Sequence, residues 1–155
     1  MLVPRLEKSI GIEVYATRSQ GIGGVIKQEV QDFVVEELLV DGSKAQAREP
    51  NSSLGKSIIG SSDTKSGYLL CVLTKQNWDT FIAISKIAHE LGISPSHIQF
   101  AGIKDAKAIT SQFITIKNRS IEDVQNLNLK DIQLRPMGYV RTEISSYFLL
   151  GNSFH

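Results

Sequence analysis

Between two apolar segments of this 155-residue chain lies the turn-like run Gly102-Ile103-Lys104-Asp105, within "QFAGIKDAKAITSQFITIKN" (residues 99–118). An aspartate in such a place serves one of two ends. It bonds its own backbone in a turn, or it acts as nucleophile or base on a bound substrate. Gly102 lets the backbone pass close to a ligand, and Lys104 and Lys107 are near enough in sequence to attract phosphate or to keep Asp105 ionised. Other groups carry weaker signals. Gly21-Ile22-Gly23-Gly24 has the composition of a phosphate cradle, but a strand pattern rather than a helix follows it, so a glycine turn is expected. His89, His97 and His155 share no metal-ligand spacing, and solvated histidines account for them. Glu36 and Glu37 are neighbours on an expected strand, so they point to opposite faces and make no general acid/base couple.

The totals bound the setting. An apolar share of 41% over 155 residues suits one globular domain with a real core. The formal charge of +1 neither demands nor excludes a nucleic-acid partner. Its distribution is uneven: residues 1–40 carry four basic and six acidic side chains, residues 97–119 four basic and one acidic. A positive patch around Asp105 follows, with a solvated basic loop as the plainer reading. Cys71 is the single cysteine and reads as a small core residue of "YLLCVL", so neither a disulfide nor a thiolate zinc site is expected. "MLVPRLEKSIGIEV" has charges where a signal peptide needs an apolar stretch, and no apolar run approaches the ~20 residues that span a bilayer. The expected location is the cytoplasm, with no membrane partner.

The elements that must position Asp105 are legible in outline. "GGVIKQEVQDFVVEELLV" reads as one or two strands around Asp32. Asp41 to Gly67 is rich in Ser, Gly and Lys without an aromatic residue, and is expected to be a long mobile loop. Tyr68 to Thr74 is a buried strand. Asn77 to Leu91 is the best helix, with Asn77 as N-cap, Gly92 as stop, and an apolar stripe of Trp78, Phe81, Ile84, Ala88 and Leu91 widened by Ile82 and Ile87. Ile98 to Gly102 and Gln112 to Lys117 are strands flanking the turn. Ser120 caps a short helix ending near Leu127, with Asp123 in a capping-box position. Ile132 to Val140 is a strand that Pro136 assigns to an edge or a bulge. Strands and helices mix without a βαβ repeat, so the fold class is α+β, a mixed and largely antiparallel sheet with packed helices. "YFLLGNSFH" stops just as a new strand pattern begins, which suggests a piece of a longer protein or a short final edge strand.

At this point four blocks, in order, resemble the TruD family of tRNA pseudouridine synthases. "FAGIKDAKAITSQ" is similar to the family signature, a Gly-(Thr/Ile)-Lys-Asp turn that holds the nucleophilic aspartate. "GGVIKQEVQDFVVEEL" resembles the N-terminal block, a lysine followed six residues later by Phe-x-Val-x-Glu. "LTKQNWDTFIAISKIAHELGIS" resembles the helix before the signature, and "LLGNSF" the Gly-Asn-x-Phe block after it. Ala106 departs from the arginine that many members carry there.

The resemblance, running from about Gly11 to Phe154, implies the function. Uracil leaves its ribose, turns, and rejoins through carbon, with no redox change and no outside atom, so no cofactor and no metal is implied. Asp105 becomes the covalent nucleophile, and Lys27 the cation that keeps it ionised, with Lys104 as the rival. Phe33, Asn152 and Phe154 match residues that line the site and receive the flipped base. Phe33 has a core phenylalanine as its plainer reading. Lys104, Lys107, Lys117 and Arg119 are candidates for tRNA phosphates. The target that the resemblance implies is the family's usual one, uridine 13 in the D arm of tRNA. Residues 1–155 are implied to be the N-terminal part of an incomplete catalytic domain, with its C-terminal remainder and inserted domain absent. A non-catalytic RNA-binding module, a remnant half-domain inactive alone, and a protein-interaction domain remain the competing readings.

Overall fold

The computed structural model describes residues 2–17, 23–25, 27–48 and 67–155. Among the described residues six strands follow in chain order: Val34–Leu39 (β1), Tyr68–Gln76 (β2), Ile98–Phe100 (β3), Ile109–Lys117 (β4), Ile132–Val140 (β5) and Leu149–Phe154 (β6). The helices among the described residues are Arg5–Ser9 (α1), Thr80–Glu90 (α2) and Ile121–Gln125 (α3). β2 is an interior strand, because a nearly unbroken apolar run suits a strand covered on both faces. Alternation divides its side chains. Leu69, Cys71 and Leu73 join Ala83, Ile84 and Ile87 of α2 in one cluster. Leu70 and Val72 join Leu39, Phe113 and Ile144 in a second, on the other face.

The sheet order is β5-β2-β4-β1-β6, with β3 also pairing β4. Every pairing is antiparallel except β1 with β4. This is the α+β architecture expected from the sequence. β5 is an edge, and its register shifts opposite Leu70 and Cys71, where Gly138 and Pro136 are the partners. Both of the features that Pro136 foretold are therefore present. Ser120 accepts from the Asp123 N–H while Asp123 accepts from the Ser120 N–H, completing the expected capping box of α3. The final apolar run forms β6 along β1.

Two expectations need correction. The N-cap of the main helix is Asp79, not Asn77: its carboxylate accepts from the Phe81 and Ile82 N–H groups at 2.8 and 3.2 Å. Asn77 has φ +58°, the left-handed region that asparagine tolerates, and so bends the chain out of β2. Starting the helix at Thr80 also fixes its buried face as Thr80, Ala83, Ile84, Ile87 and Ala88. Phe81 and Ile82 are exposed instead of belonging to the stripe. Phe81 meets Phe100 edge-on, with ring centroids 5.8 Å apart.

The second correction concerns the expected loop of Asp41 to Gly67. Residues 41–48 fold back on β1. Lys44 bridges Leu38, and the Ala45 N–H donates to the Glu37 carbonyl at 2.9 Å. Ala45 is fully buried, and the Glu36 carboxylate accepts from the Ala47 N–H at 2.8 Å while pairing with Lys44 at 2.6 Å. A small apolar residue inside a polar stretch can be pulled into the core when the backbone has a strand to pair with. Residues 49–66 of that expectation lie outside the described residues, as do Gly21 and Ile22 of the glycine run. Gly23 and Gly24 have φ of +69° and +146°, in keeping with a glycine turn.

The cap assignment is checked by urea denaturation. Asp79→Ala should lower stability by about 1 kcal/mol. Asn77→Gly should stay within about 0.5 kcal/mol of the parent, since glycine suits a left-handed backbone; the reverse ranking would restore Asn77 as the cap.

Candidate active site

Strand direction determines where the chemistry collects. β1 and β4 are parallel, so both begin at the same end of the sheet, in register at Val34 and Ile109. β6 is antiparallel to β1 and finishes there, with Phe154 opposite Val35. The residue before β1 (Phe33), the turn before β4 (with Asp105) and the end of β6 (Phe154) are thus gathered at one end by topology alone.

The turn itself is held from four elements. Lys104 turns inward, and its ammonium lies 2.7 Å from Glu37 of β1. Both side chains are buried, at 2% and 0% exposure. Glu37 also accepts from the Phe113 N–H at 2.9 Å. Burial raises the Glu37 carboxyl above its ordinary range, opposed by Lys104 and by the Phe113 N–H. Thr80, the first residue of α2, accepts from the Lys104 N–H at 3.1 Å and donates to the Lys104 carbonyl at 3.2 Å. Lys75 of β2 donates to the Asp105 carbonyl at 2.8 Å. Gln112 donates to the Gly102 carbonyl at 3.1 Å. A Cβ on Gly102 would come within 3.3 Å of Leu149 and 3.4 Å of the Lys104 ammonium. That is a close-packing reason for glycine, in place of the expected approach to a ligand.

With Lys104 drawn inward, the Asp105 carboxylate is left half exposed. Lys27 reaches it at 3.7 Å, the two side chains being 35% and 47% exposed. The same ammonium sits 3.7 Å from the Phe33 ring centroid, a cation–π contact. Phe33 stacks on Phe154, with centroids 5.8 Å apart and planes 19° apart. Lys27 holds φ +52°, a backbone state that costs a non-glycine residue about 1 kcal/mol and tends to gather at functional sites. Asn152 is exposed, and lies two residues before Phe154 on the same face of β6, opposite Glu37.

Of the expected site residues, the structure brings together Asp105, Lys27, Phe33 and Phe154, with Asn152 along the same strand face. Lys107 is exposed two residues beyond Asp105. Lys104 is a correction: expected at the substrate, it is spent on a buried ion pair, because adjacent residues on extended backbone point apart. Lys27 is thereby the cation at Asp105. The expected basic patch divides as well. Lys117 ends β4, roughly 26 Å along the strand from Ile109, and Arg119 lies just beyond it, donating to the Leu91 carbonyl.

Sequence reasoning missed Lys75, Thr80, Glu37 and Gln112. A signal existed for two of them. Lys75 follows Leu69, Cys71 and Leu73 at period two, and Glu37 lies midway between Val35 and Leu39, so alternation assigns both to core faces. An open groove of about 760 Å³, lined by residues including Glu36, Lys44, Arg48 and Gln76, lies on the other face of β1 and does not include Asp105. Among the described residues no cluster of three or more His, Cys, Asp or Glu could hold a metal ion, and no helix is long and apolar enough to cross a membrane.

The arrangement joins a half-exposed carboxylate, a neighbouring ammonium and a stacked aromatic pair, which suits covalent or base chemistry on a planar ring. Comparison with known proteins points the same way. A family model described as "tRNA pseudouridine synthase D (TruD)" matches residues 9–155. Similar proteins named "Probable tRNA pseudouridine synthase D" occur in Methanosarcina mazei, 34% identical over 99% of this chain, and in Archaeoglobus fulgidus, 36% identical over 96%. The crystal structure of the M. mazei protein superposes with a TM-score of 0.72. This chain spans 31% of the length of the M. mazei protein and 32% of the A. fulgidus one.

The inward ion pair is open to test by denaturation. Lys104→Met strands the Glu37 carboxylate in the core and should cost about 3–5 kcal/mol at neutral pH. Adding Glu37→Gln should recover at least half of it, since the amide oxygen still receives the Phe113 N–H. The Lys104→Met deficit should also shrink as pH falls. Glu37 then has a folded-state pKa above its ordinary 4.5, so the folded form binds the extra proton, and stability is lost as pH rises from 4.5 through that value. A deficit that does not change with pH would contradict a buried, unpaired Glu37.

Proposed function

We propose, because the chain belongs to the TruD family of tRNA pseudouridine synthases, that it carries the nucleophile-bearing part of an isomerase converting a tRNA uridine to pseudouridine. The observation that carries this reading is the Lys27–Asp105 pair at 3.7 Å beside the stacked Phe33 and Phe154 rings. The reaction breaks the N1–C1′ glycosidic bond and forms a C5–C1′ bond. Carbon 5 gives up a proton, N1 takes one up, and composition is unchanged. An ionised Asp105 attacks either the anomeric carbon or the uracil ring, and is expelled when the base rejoins. Lys27, 3.7 Å from the carboxylate, orients it.

A uridine must leave its stack to reach such a carboxylate. The exposed side of Phe154 gives the flipped base a stacking surface, and Asn152 a hydrogen-bonding edge. Lys107 is suited to a backbone phosphate beside the turn. The substrate implied is uridine 13 of the D arm, and a tRNA substrate supports a cytoplasmic location. Since the chain spans only 31% of the M. mazei protein, turnover is proposed to need the remaining two-thirds of the family's length. Residues 1–155 then correspond to the N-terminal part of the catalytic domain.

The test is tritium release from tRNA labelled at uridine carbon 5. A chimera in which this chain replaces the matching part of the M. mazei protein should turn over, and the 155-residue chain alone should not. In the chimera, Asp105→Asn should fall to background while tRNA binding survives, because phosphate contacts dominate affinity. Lys27→Ala should lower turnover without abolishing it. A folded Asp105→Asn chimera retaining a tenth of the parent's turnover would sink the nucleophile assignment.

A further inference from the structure

Lys75 is a lysine in the interior of a sheet. It lies on β2 between Thr110 of β4 and Ile132 of β5, and is 1% exposed. Desolvating an ammonium is costly unless its protons find acceptors. Here the acceptors are main-chain carbonyls of two kinds. Trp78, at 2.7 Å, belongs to the corner between β2 and α2. Asp105 at 2.8 Å and Lys104 at 3.5 Å belong to the nucleophile's own turn. Thr80 grips the same turn from the N-terminus of α2, accepting from the Lys104 N–H and donating to the Lys104 carbonyl. The turn lies between β3 and β4 and belongs to no regular element, so no helix or sheet ladder fixes the Asp105 carbonyl.

We infer that Lys75 is a positioning residue for Asp105: its ammonium, with Thr80, locks the turn so that the carboxylate projects toward Lys27 and the aromatic pair. This deepens the proposed function and rests on Asp105 being the nucleophile. The lock acts on the backbone one bond from the Asp105 Cα, so loosening it moves the attacking oxygen directly. A displacement of about 1 Å in a reacting group is enough to cost roughly 100-fold in rate.

The charge state of the lock is itself sensitive. Burial pushes the Lys75 ammonium down to about 8, with Asp79 and Asp105 drawing it back up and Lys104 adding to the fall. Below that value three N–H groups face three carbonyls. Above it two N–H groups and a lone pair face the same three, and one carbonyl is repelled.

The experiment uses the chimera, with single-turnover rate, tRNA binding and circular dichroism read together. Lys75→Met, of similar length and apolar, should lower the single-turnover rate roughly 100-fold and leave tRNA affinity within about twofold, because no phosphate contact is lost. Thr80→Val should lower the rate and Thr80→Ser should restore it. The parent's rate should decline as pH rises through about 8, and Lys75→Met should lack that decline. A folded Lys75→Met chimera with a parental rate, or with the same alkaline decline, overturns the inference. If Lys75→Met does not fold, Thr80→Val is read in its place, and a parental rate there overturns it equally. Asp105→Asn is run alongside. Activity retained by Asp105→Asn sinks the functional reading itself, whereas background activity there with a parental rate in Lys75→Met sinks only the role of Lys75.

Discussion

The Glu37–Lys104 pair is the constraint on which the candidate site depends. Two charges at 2% exposure or less are no gift to stability, since desolvation offsets most of their attraction. Their contribution is geometric. They fasten a turn without regular hydrogen bonding to the middle of β1, and they settle which of two neighbouring side chains faces in. With Lys104 inside, Asp105 has to face out. Gly102 serves the same end by leaving room for the Lys104 ammonium and for Leu149.

A second constraint is topological. The sheet has one parallel junction, β1 with β4, and the site lies at its N-terminal end. Were β1 antiparallel to β4, Phe33 and Asp105 would stand at opposite ends of the sheet, about 16–20 Å apart for strands of six residues. Residues 33, 105 and 154 are distant in sequence and meet because strand starts and a strand end coincide. Lys27 joins them through a short 3₁₀ turn, Val30–Asp32, whose N-terminal end is closed by the Glu29 N–H donating to the Asp32 carboxylate.

Much of this was legible in the sequence, for identifiable reasons. β2, β5 and α3 carry local signals: an apolar run, a proline, a capping box. Asp105 stands out from its own turn, Lys27, Phe33 and Phe154 only through motif resemblance, and the structure brings the four side chains together. What could not be read locally depended on a partner elsewhere. Asn77 is a good cap by type, but the start of α2 is fixed by where Thr80 must meet Lys104. Ala45 is buried because β1 offers a backbone to pair with. Lys104 is near enough to Asp105 in sequence to suggest a phosphate contact, and only Glu37, 67 positions earlier, reveals its inward partner. Lys75 shows the opposite failing: strand alternation already directed it inward, yet an interior lysine has no meaning until its carbonyl acceptors are known.

The interruption of β5 has a consequence for the whole sheet as a hydrogen-bonding object. A sheet grows by offering unpaired N–H and C=O groups along an edge. On the β5 side, Pro136 lacks an N–H, and Gly138 at φ +126° twists the strand off a regular repeat. On the β6 side, Leu149–Phe154 contains no proline, its pairing with β1 is regular from Gly151 to Phe154 and shifts only before Gly151, and among the described residues it pairs along one border. The sheet is therefore polar in its capacity for extension. An incoming strand, from whatever source, meets a template spoiled at mid-strand beyond β5 and a regular one along Gly151–Phe154 of β6, next to Asn152 and Phe154.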